Sequence, residues 1–157
     1  MRFLLVGILF LLLSACLSEP DCIITATNNV KISLKKITSD SVNFVKFTSI
    51  SISGADSVIN SMKDSVSFLN LPVNPRTGET TFKFQYKKKV NAVNIIKTDS
   101  VTLSYVTQTI IISPSCGGFV YYTNLAVIST SFATIPKVKF NQLSTSATVH
   151  TNLEIKL

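Results

Sequence analysis

The stretch TTFKFQYKKK, residues 80–89, decides the fold. Phe82, Phe84 and Tyr86 alternate with Lys83, Gln85 and Lys87. Successive side chains of a strand point to opposite faces, so this period of two predicts one apolar face and one wet face. A helix would scatter the same residues around its surface. Phe82, Phe84 and Tyr86 are expected to point inward.

The same period recurs on both sides. In VKISLKK (30–36), Val30, Ile32 and Leu34 share one face. In DSVTLSYVTQ (99–108), Val101, Leu103 and Tyr105 do so. VNFVKFTSISISG (42–54) is longer, and its apolar phase shifts, which predicts a bend or bulge. TIIIS (109–113) is continuously apolar and is expected to be buried on both faces. FVYYTNLAVIST (119–130) and KVKFNQL (137–143) follow. ATVHTNLEIKL (147–157) closes the chain with Val149, Thr151, Leu153, Ile155 and Leu157 in phase. In LPVNPRTGETTF (71–82), Pro72 and Pro75 stop a strand and Gly78 is expected to supply a positive φ for a hairpin turn. Helical periodicity is absent, apart from one turn's worth around 55–63. These signals predict an all-β chain: an antiparallel β-sandwich of about 7–9 strands, Ig-like or of related topology.

Composition agrees. The 157 residues are 46% hydrophobic, with 10 Phe, 4 Tyr, no Trp and only 5 Gly. Mean hydropathy is +0.39. Such a chain can build one core.

The N-terminus reads as an address. Met1-Arg2 is a positive start, Phe3 to Leu13 is an apolar run interrupted only by Gly7, and Leu13-Ser14-Ala15-Cys16 follows. The run is too short to span a bilayer and suits a secretory signal. Leu-Ser-Ala-Cys resembles the bacterial lipobox, in which small residues admit the peptidase and the thiol accepts a diacylglycerol. The expected organisation is a lipoprotein signal peptide at 1–15, a lipidated N-terminus and tether at 16–24, and one sandwich domain at 25–157. Cys16 is the expected lipidation site; the alternative is simple secretion. Leu17, rather than an acid, follows Cys16, which looks like outer-membrane delivery.

Lipidation of Cys16 leaves Cys22 and Cys116, an even count in an oxidising compartment, and predicts a disulfide between them. Two buried free thiols are the alternative.

Net charge is +7, and cleavage after Ala15 leaves 14 basic against 8 acidic side chains, or +6. Lys35-Lys36 and Lys87-Lys88-Lys89 hold five of these positives. They are candidates for binding an anionic glycan or lipid. They also suit solvated turns and edge strands, where lysine discourages aggregation. No zinc-ligand pair or aromatic strand code accompanies them, which argues against nucleic acid. Asp-Ser-Val recurs at 40–42, 56–58, 64–66 and 99–101. The pattern lacks the D-x-D-x-D-G density of a calcium loop and is expected to mark turns that lead into strands.

DSVTLSYVTQTIIISPSCGGFVYYTNL (99–125) resembles an uncharacterised family of Bacteroidota lipoproteins with a SPaCGf-type motif. The matching pieces are Cys22, LPV (71–73), Ser104-Tyr105, Ser113-Pro114-Ser115-Cys116-Gly117 and NLEIKL (152–157). Gly118 is extra before Phe119, and TAT (25–27) stands where a proline is common. The resemblance implies an envelope lipoprotein and supplies no catalytic residues.

The sequence calls for no cofactor, metal or enzymatic activity. His150 is the sole histidine, and no nucleophile elbow, metalloprotease motif or phosphate loop occurs. The best hydrolase candidate pairs Cys116 as nucleophile with His150 as base, yet a disulfide to Cys22 would silence it. The expected function is a lipid-anchored envelope protein acting as a structural or protein-interaction module. The alternative is a binding module for anionic glycan or lipid through the lysine clusters.

Overall fold

The computed structural model describes residues 28–53, 58–60, 62–90, 93–113, 117–143 and 150–157; at 58–60, 112 and 113 it describes the backbone alone. The expected signal peptide, the tether, Cys16, Cys22, Cys116 and Asp56 lie outside these residues.

Among the described residues, nine strands make two sheets packed face to face. The first sheet holds four strands: β1 (Asn29–Lys35), β4 (Phe68–Pro72), β8 (Lys137–Val138) and β9 (Leu153–Lys156), in the order β4-β1-β9-β8. The second holds five: β2 (Phe47–Ile52), β3 (Val58–Asn60), β5 (Glu79–Val90), β6 (Val93–Ser113) and β7 (Gly117–Thr130), in the order β3-β2-β5-β6-β7. The all-β sandwich expected from sequence is present. Every described pairing is antiparallel except β1 with β9, which is parallel and seats Ile32 beside Leu153. A parallel neighbour requires a long connection, and here the whole second sheet supplies it.

The alternation is realised strand by strand. Val30, Ile32 and Leu34 are buried, as are Phe82, Phe84 and Tyr86, and Val101, Leu103 and Tyr105. An aromatic column runs through the core. Phe47 lies 5.7 Å from Phe84 and 5.9 Å from Tyr86, and Phe84 lies 5.8 Å from Phe132. Truncating one such ring costs about 3–5 kcal/mol. The bulge expected in the 42–54 stretch falls at Thr48, where the register of β2 against β5 slips between Phe47 and Ser49.

Five local expectations need correction. LPVNPRTGETTF is not a hairpin: β4 pairs with β1 and β5 with β2 and β6, so the stretch arches from one sheet to the other. Gly78 has no positive φ; among the described residues only Gly117 (71°) and Asn124 (55°) do. Its small size matters instead, because a Cβ there would stand 3.2 Å from the Tyr105 carbonyl oxygen. Residues 58–60 form β3 against β2, not part of a helical turn. Asp99-Ser100-Val101 lies within β6 and its carboxylate is buried, whereas Asp40 and Asp64 do precede bridges at Val42 and Val66. TIIIS is not buried on both faces, since Ile110 and Ile111 are 40% and 78% exposed.

That last difference follows from length. β6 has 21 residues, too long for the sandwich, and it overshoots at both ends. At one end it continues against β5 from Lys87 to Val90. At the other it leaves β5 after Ser104 and runs on against β7 alone.

Candidate functional site

Two features project from the packed core, one at each end of β6.

At the first end, β5 outruns β2. Their pairing stops at Phe47 with Tyr86, so Lys87, Lys88 and Lys89 continue with a free edge. The strand alternation puts Lys88 on the side of Tyr86 and Lys87 and Lys89 on the other. Facing them is the segment 43–48, which leads into β2. It is fixed by backbone bonds from Asn43 N to Leu34 O (3.0 Å), Val45 N to Val66 O (3.0 Å) and Val66 N to Val45 O (2.9 Å). The Asn43 side-chain amide also donates to Leu157 O at 3.0 Å.

Between these walls lies a cleft of about 600 Å³, lined by residues 43–48, Tyr86 to Lys89 and Leu157. Val45, Phe47 and Tyr86 give it a buried apolar floor. Its lining holds four lysines, Lys46, Lys87, Lys88 and Lys89, and no Asp or Glu side chain. Phe44, 68% exposed, adds an aromatic ring. Thr48 Oγ1, in the bulge, is out of solvent with no hydrogen-bond partner. Cationic rim, apolar floor and aromatic ring suit an anion carried on an apolar or sugar frame.

The two lysine clusters do not merge into one surface. Lys87, Lys88 and Lys89 share the cleft with Lys46. Lys35 instead lines a neighbouring basin with Lys137, Lys139 and Lys156, and Lys36 lines neither. The basin also carries its own acids. Lys156 Nζ meets Asp40 Oδ1 at 2.8 Å, and Lys139 Nζ lies 3.8 Å from Glu154 Oε2. The hydrogen bond from Lys156, with its charge, holds the Asp40 carboxyl below the ordinary carboxylate range, and the Lys156 ammonium is raised in return. The basin's anion-binding capacity is thus partly consumed by Asp40 and Glu154, whereas no Asp or Glu side chain lines the cleft.

Behind the cleft, Asp99 is buried in β6. Tyr86 OH donates to its Oδ2 at 2.5 Å, Lys97 Nζ lies 2.9 Å from the same oxygen, and Ser131 Oγ donates to Oδ1 at 3.4 Å. Burial, then the Asp99 hydrogen bond and charge, push the Tyr86 phenol up from its ordinary value. These contacts tie β5, β6 and the segment that follows β7 together at this end of the core. His150 is exposed and stacks on Phe140 with ring centroids 4.4 Å apart; its proposed partner Cys116 lies outside the described residues.

At the second end, β6 and β7 form a two-stranded arm from Val106 with Thr123 to Ser113 with Gly117. Val106 is 53% exposed, and Ile110 and Ile111 follow it into solvent. Ile110 pairs with Phe119 and Gln108 with Tyr121. Neither strand of the arm carries a charge. The neutral run extends from Ser100 to Pro136, in a chain that is 15% charged. Periodicity could not reveal the arm, but this gap in the charges could have. Lys46 was likewise hidden in sequence as an isolated lysine between Val45 and Phe47.

Residues 44–157 match the model of a family described as a family of unknown function, DUF6452. No curated protein and no solved structure matches the chain.

Proposed function

The chain belongs to this family of unknown function, DUF6452, and from that premise we propose that it is a lipid-anchored, non-catalytic binding module of a bacterial cell envelope. Leu13-Ser14-Ala15-Cys16 supports the anchor, with Cys16 as the acylated residue and Leu17 favouring the outer membrane. A Cys22–Cys116 disulfide would brace the tether in that compartment. The resemblance to Bacteroidota lipoproteins points the same way.

One observation carries the binding role: four lysines line the cleft and no Asp or Glu side chain lines it with them. The ligand class it fits is an anionic envelope glycan, whose carboxylates or phosphates meet Lys46 and Lys87 to Lys89 while a sugar face rests on Phe44. Interaction with a protein partner alone would leave this cluster without a purpose beyond solubility.

The test is binding of the mature protein to an immobilised uronic-acid polysaccharide and to phosphatidylglycerol vesicles. Retention by the polysaccharide should weaken steeply with salt, because exposed charges are screened over about 8 Å at physiological ionic strength. It should be lost when Lys87, Lys88 and Lys89 become Ser, with the thermal midpoint unchanged. Equal retention of that variant would refute the cleft assignment. Preference for the vesicles would reassign the ligand to a lipid headgroup. Separately, Cys16→Ala should abolish acyl labelling and membrane retention; persistent labelling would remove the anchor.

A further inference from the structure

We propose that the β6–β7 arm is a second, non-covalent membrane contact, which seats Val106, Ile110, Ile111 and Phe119 in the headgroup boundary of the bilayer that holds the acyl anchor. The proposal rests on the lipid-anchor reading for its bilayer and goes beyond it in assigning the arm a role and the sandwich an orientation.

The first support is position. The described chain enters the sandwich at Asn28, whose carbonyl accepts from Val73 N at 2.8 Å, and Asn29 pairs with Pro72. From Val73 the chain arches to Gly78, whose carbonyl accepts from Tyr105 N at 2.8 Å. Tyr105 is the last residue before the arm. The N-terminal chain and the arm therefore leave the same end of the sandwich. At roughly 3.3 Å per residue, Val106 to Ser113 carry the arm about 25 Å outward. Cys16 precedes Asn28 by twelve residues. Their fully extended length is at most about 40 Å. Acyl anchor and arm tip can thus reach one plane.

The second support is chemistry. A charged side chain at the lipid face of a strand opposes membrane contact, and the arm has none. It presents aliphatic side chains flanked by Tyr121, a residue type enriched at the membrane–water interface, and by Phe119, whose type is found on the apolar face of interfacial segments. Its depth is bounded by its backbone. Beyond Tyr122, whose carbonyl accepts from Leu143 N at 3.0 Å, the two-stranded arm has open edges, whose N–H and C=O groups must stay hydrated. The arm can lie at the headgroup boundary and cannot cross the hydrocarbon.

The third support is the contrast along β6 itself. Its other end carries Lys87 to Lys89 on the paired strand and opens the basic cleft, roughly 50 Å from Ile111 along the strand. With the arm on the membrane, the cleft faces away from it, toward soluble or surface glycan.

The chain contains no Trp, so a single introduced indole reports its own surroundings. The full-length protein would be expressed with its signal, purified, and reconstituted into phosphatidylcholine vesicles with brominated acyl chains. Ile111→Trp and Val93→Trp place the probe at exposed apolar positions on opposite ends of one strand. Flotation with the vesicles reports the anchor independently. The expected result is co-flotation of both variants, with blue-shifted, strongly quenched emission at position 111 and unquenched emission at 93. Flotation with no quenching at 111, or with quenching at 93 instead, overturns the arm's role and leaves the anchor standing. A blue shift at 111 that grows with protein concentration without vesicles assigns the arm to a second copy and overturns the proposal. Failure to float removes the anchor, and the proposal with it.

Discussion

The Tyr86 hydroxyl donates to Asp99 Oδ2 at 2.5 Å, joining neighbouring strands inside the core, and both residues are at most 5% exposed. Lys97 neutralises the carboxylate from its more exposed side. Tyr86→Phe removes the donor and keeps the ring against Phe47. It should cost about 1.5–3 kcal/mol, the range for a hydrogen bond to a charged group. Asp99→Ala should also destabilise, and the double variant should lose less than the two losses combined, since the partners are in contact. Urea denaturation measures all three. Strict additivity would mean that the bond contributes nothing to folding.

The same burial makes the fold alkali-sensitive. Burial raises the phenols of Tyr86, Tyr105 and Tyr122 above their ordinary value, with Asp99 adding to the shift at Tyr86. An unfolded tyrosine ionises near pH 10. Above that, the unfolded state binds fewer protons than the native state, so stability falls as pH rises. Each of the three contributes up to about 1.4 kcal/mol per pH unit. Below about pH 9 their contribution should be complete and flat. In a pH titration, their phenolate absorbance should appear together with loss of the native circular dichroism. Ionisation of all four tyrosines while the fold persists would contradict this.

A closed ring of hydrogen bonds holds the inter-sheet arch. Asn74 N donates to Thr80 Oγ1 at 2.8 Å, and Tyr105 OH donates to Asn74 O at 2.7 Å. Thr80 Oγ1 lies 2.6 Å from Tyr105 OH and, with the tyrosine proton committed to Asn74, it is the donor there. Asn74 Oδ1 accepts from Arg76 N at 2.9 Å and tightens the turn. Tyr105→Phe leaves the Asn74 carbonyl and the Thr80 hydroxyl without this partner. It should cost about 1–3 kcal/mol. Amide exchange at Asn74 should accelerate more than exchange in β1. Unchanged protection at Asn74 would show that the arch does not depend on the phenol.

The sandwich was legible because most of its strands have one wet face. Val30, Ile32 and Leu34 needed only a period of two to be placed. The arch was not legible, because prolines and a glycine between two apolar runs look the same whether the runs pair or separate. Which strands pair is decided by the complementary surfaces of both sheets, and local turn chemistry does not encode it. Asp99 was misjudged since its Asp-Ser-Val tripeptide is identical to those at turns; the phenol that satisfies it lies thirteen residues earlier. The lysine triplet was visible, but Lys46 joins it only through the bulged approach to β2.

The strongest misreading, TIIIS, separates two regimes within one strand. A continuous apolar run has the same pattern whether both its faces are covered or neither is, so sequence could not choose. The structure covers Leu103 completely and leaves Ile111 78% exposed, eight residues further along β6. Leu103→Ala should therefore cost about 2–5 kcal/mol, as expected for an aliphatic side chain deleted from a packed core. Ile111→Thr keeps β-branching, loses almost no packing, and should stay within about 0.5 kcal/mol of the parent. Ile110, 40% exposed and paired with Phe119, should fall between them on substitution by Thr. The same three variants also separate stability from role. If the arm docks on a bilayer, Ile111→Thr should weaken vesicle contact while leaving the denaturation midpoint in place. If Ile111→Thr unfolds the protein as readily as Leu103→Ala, the arm is covered in solution and the sandwich is larger than its nine described strands.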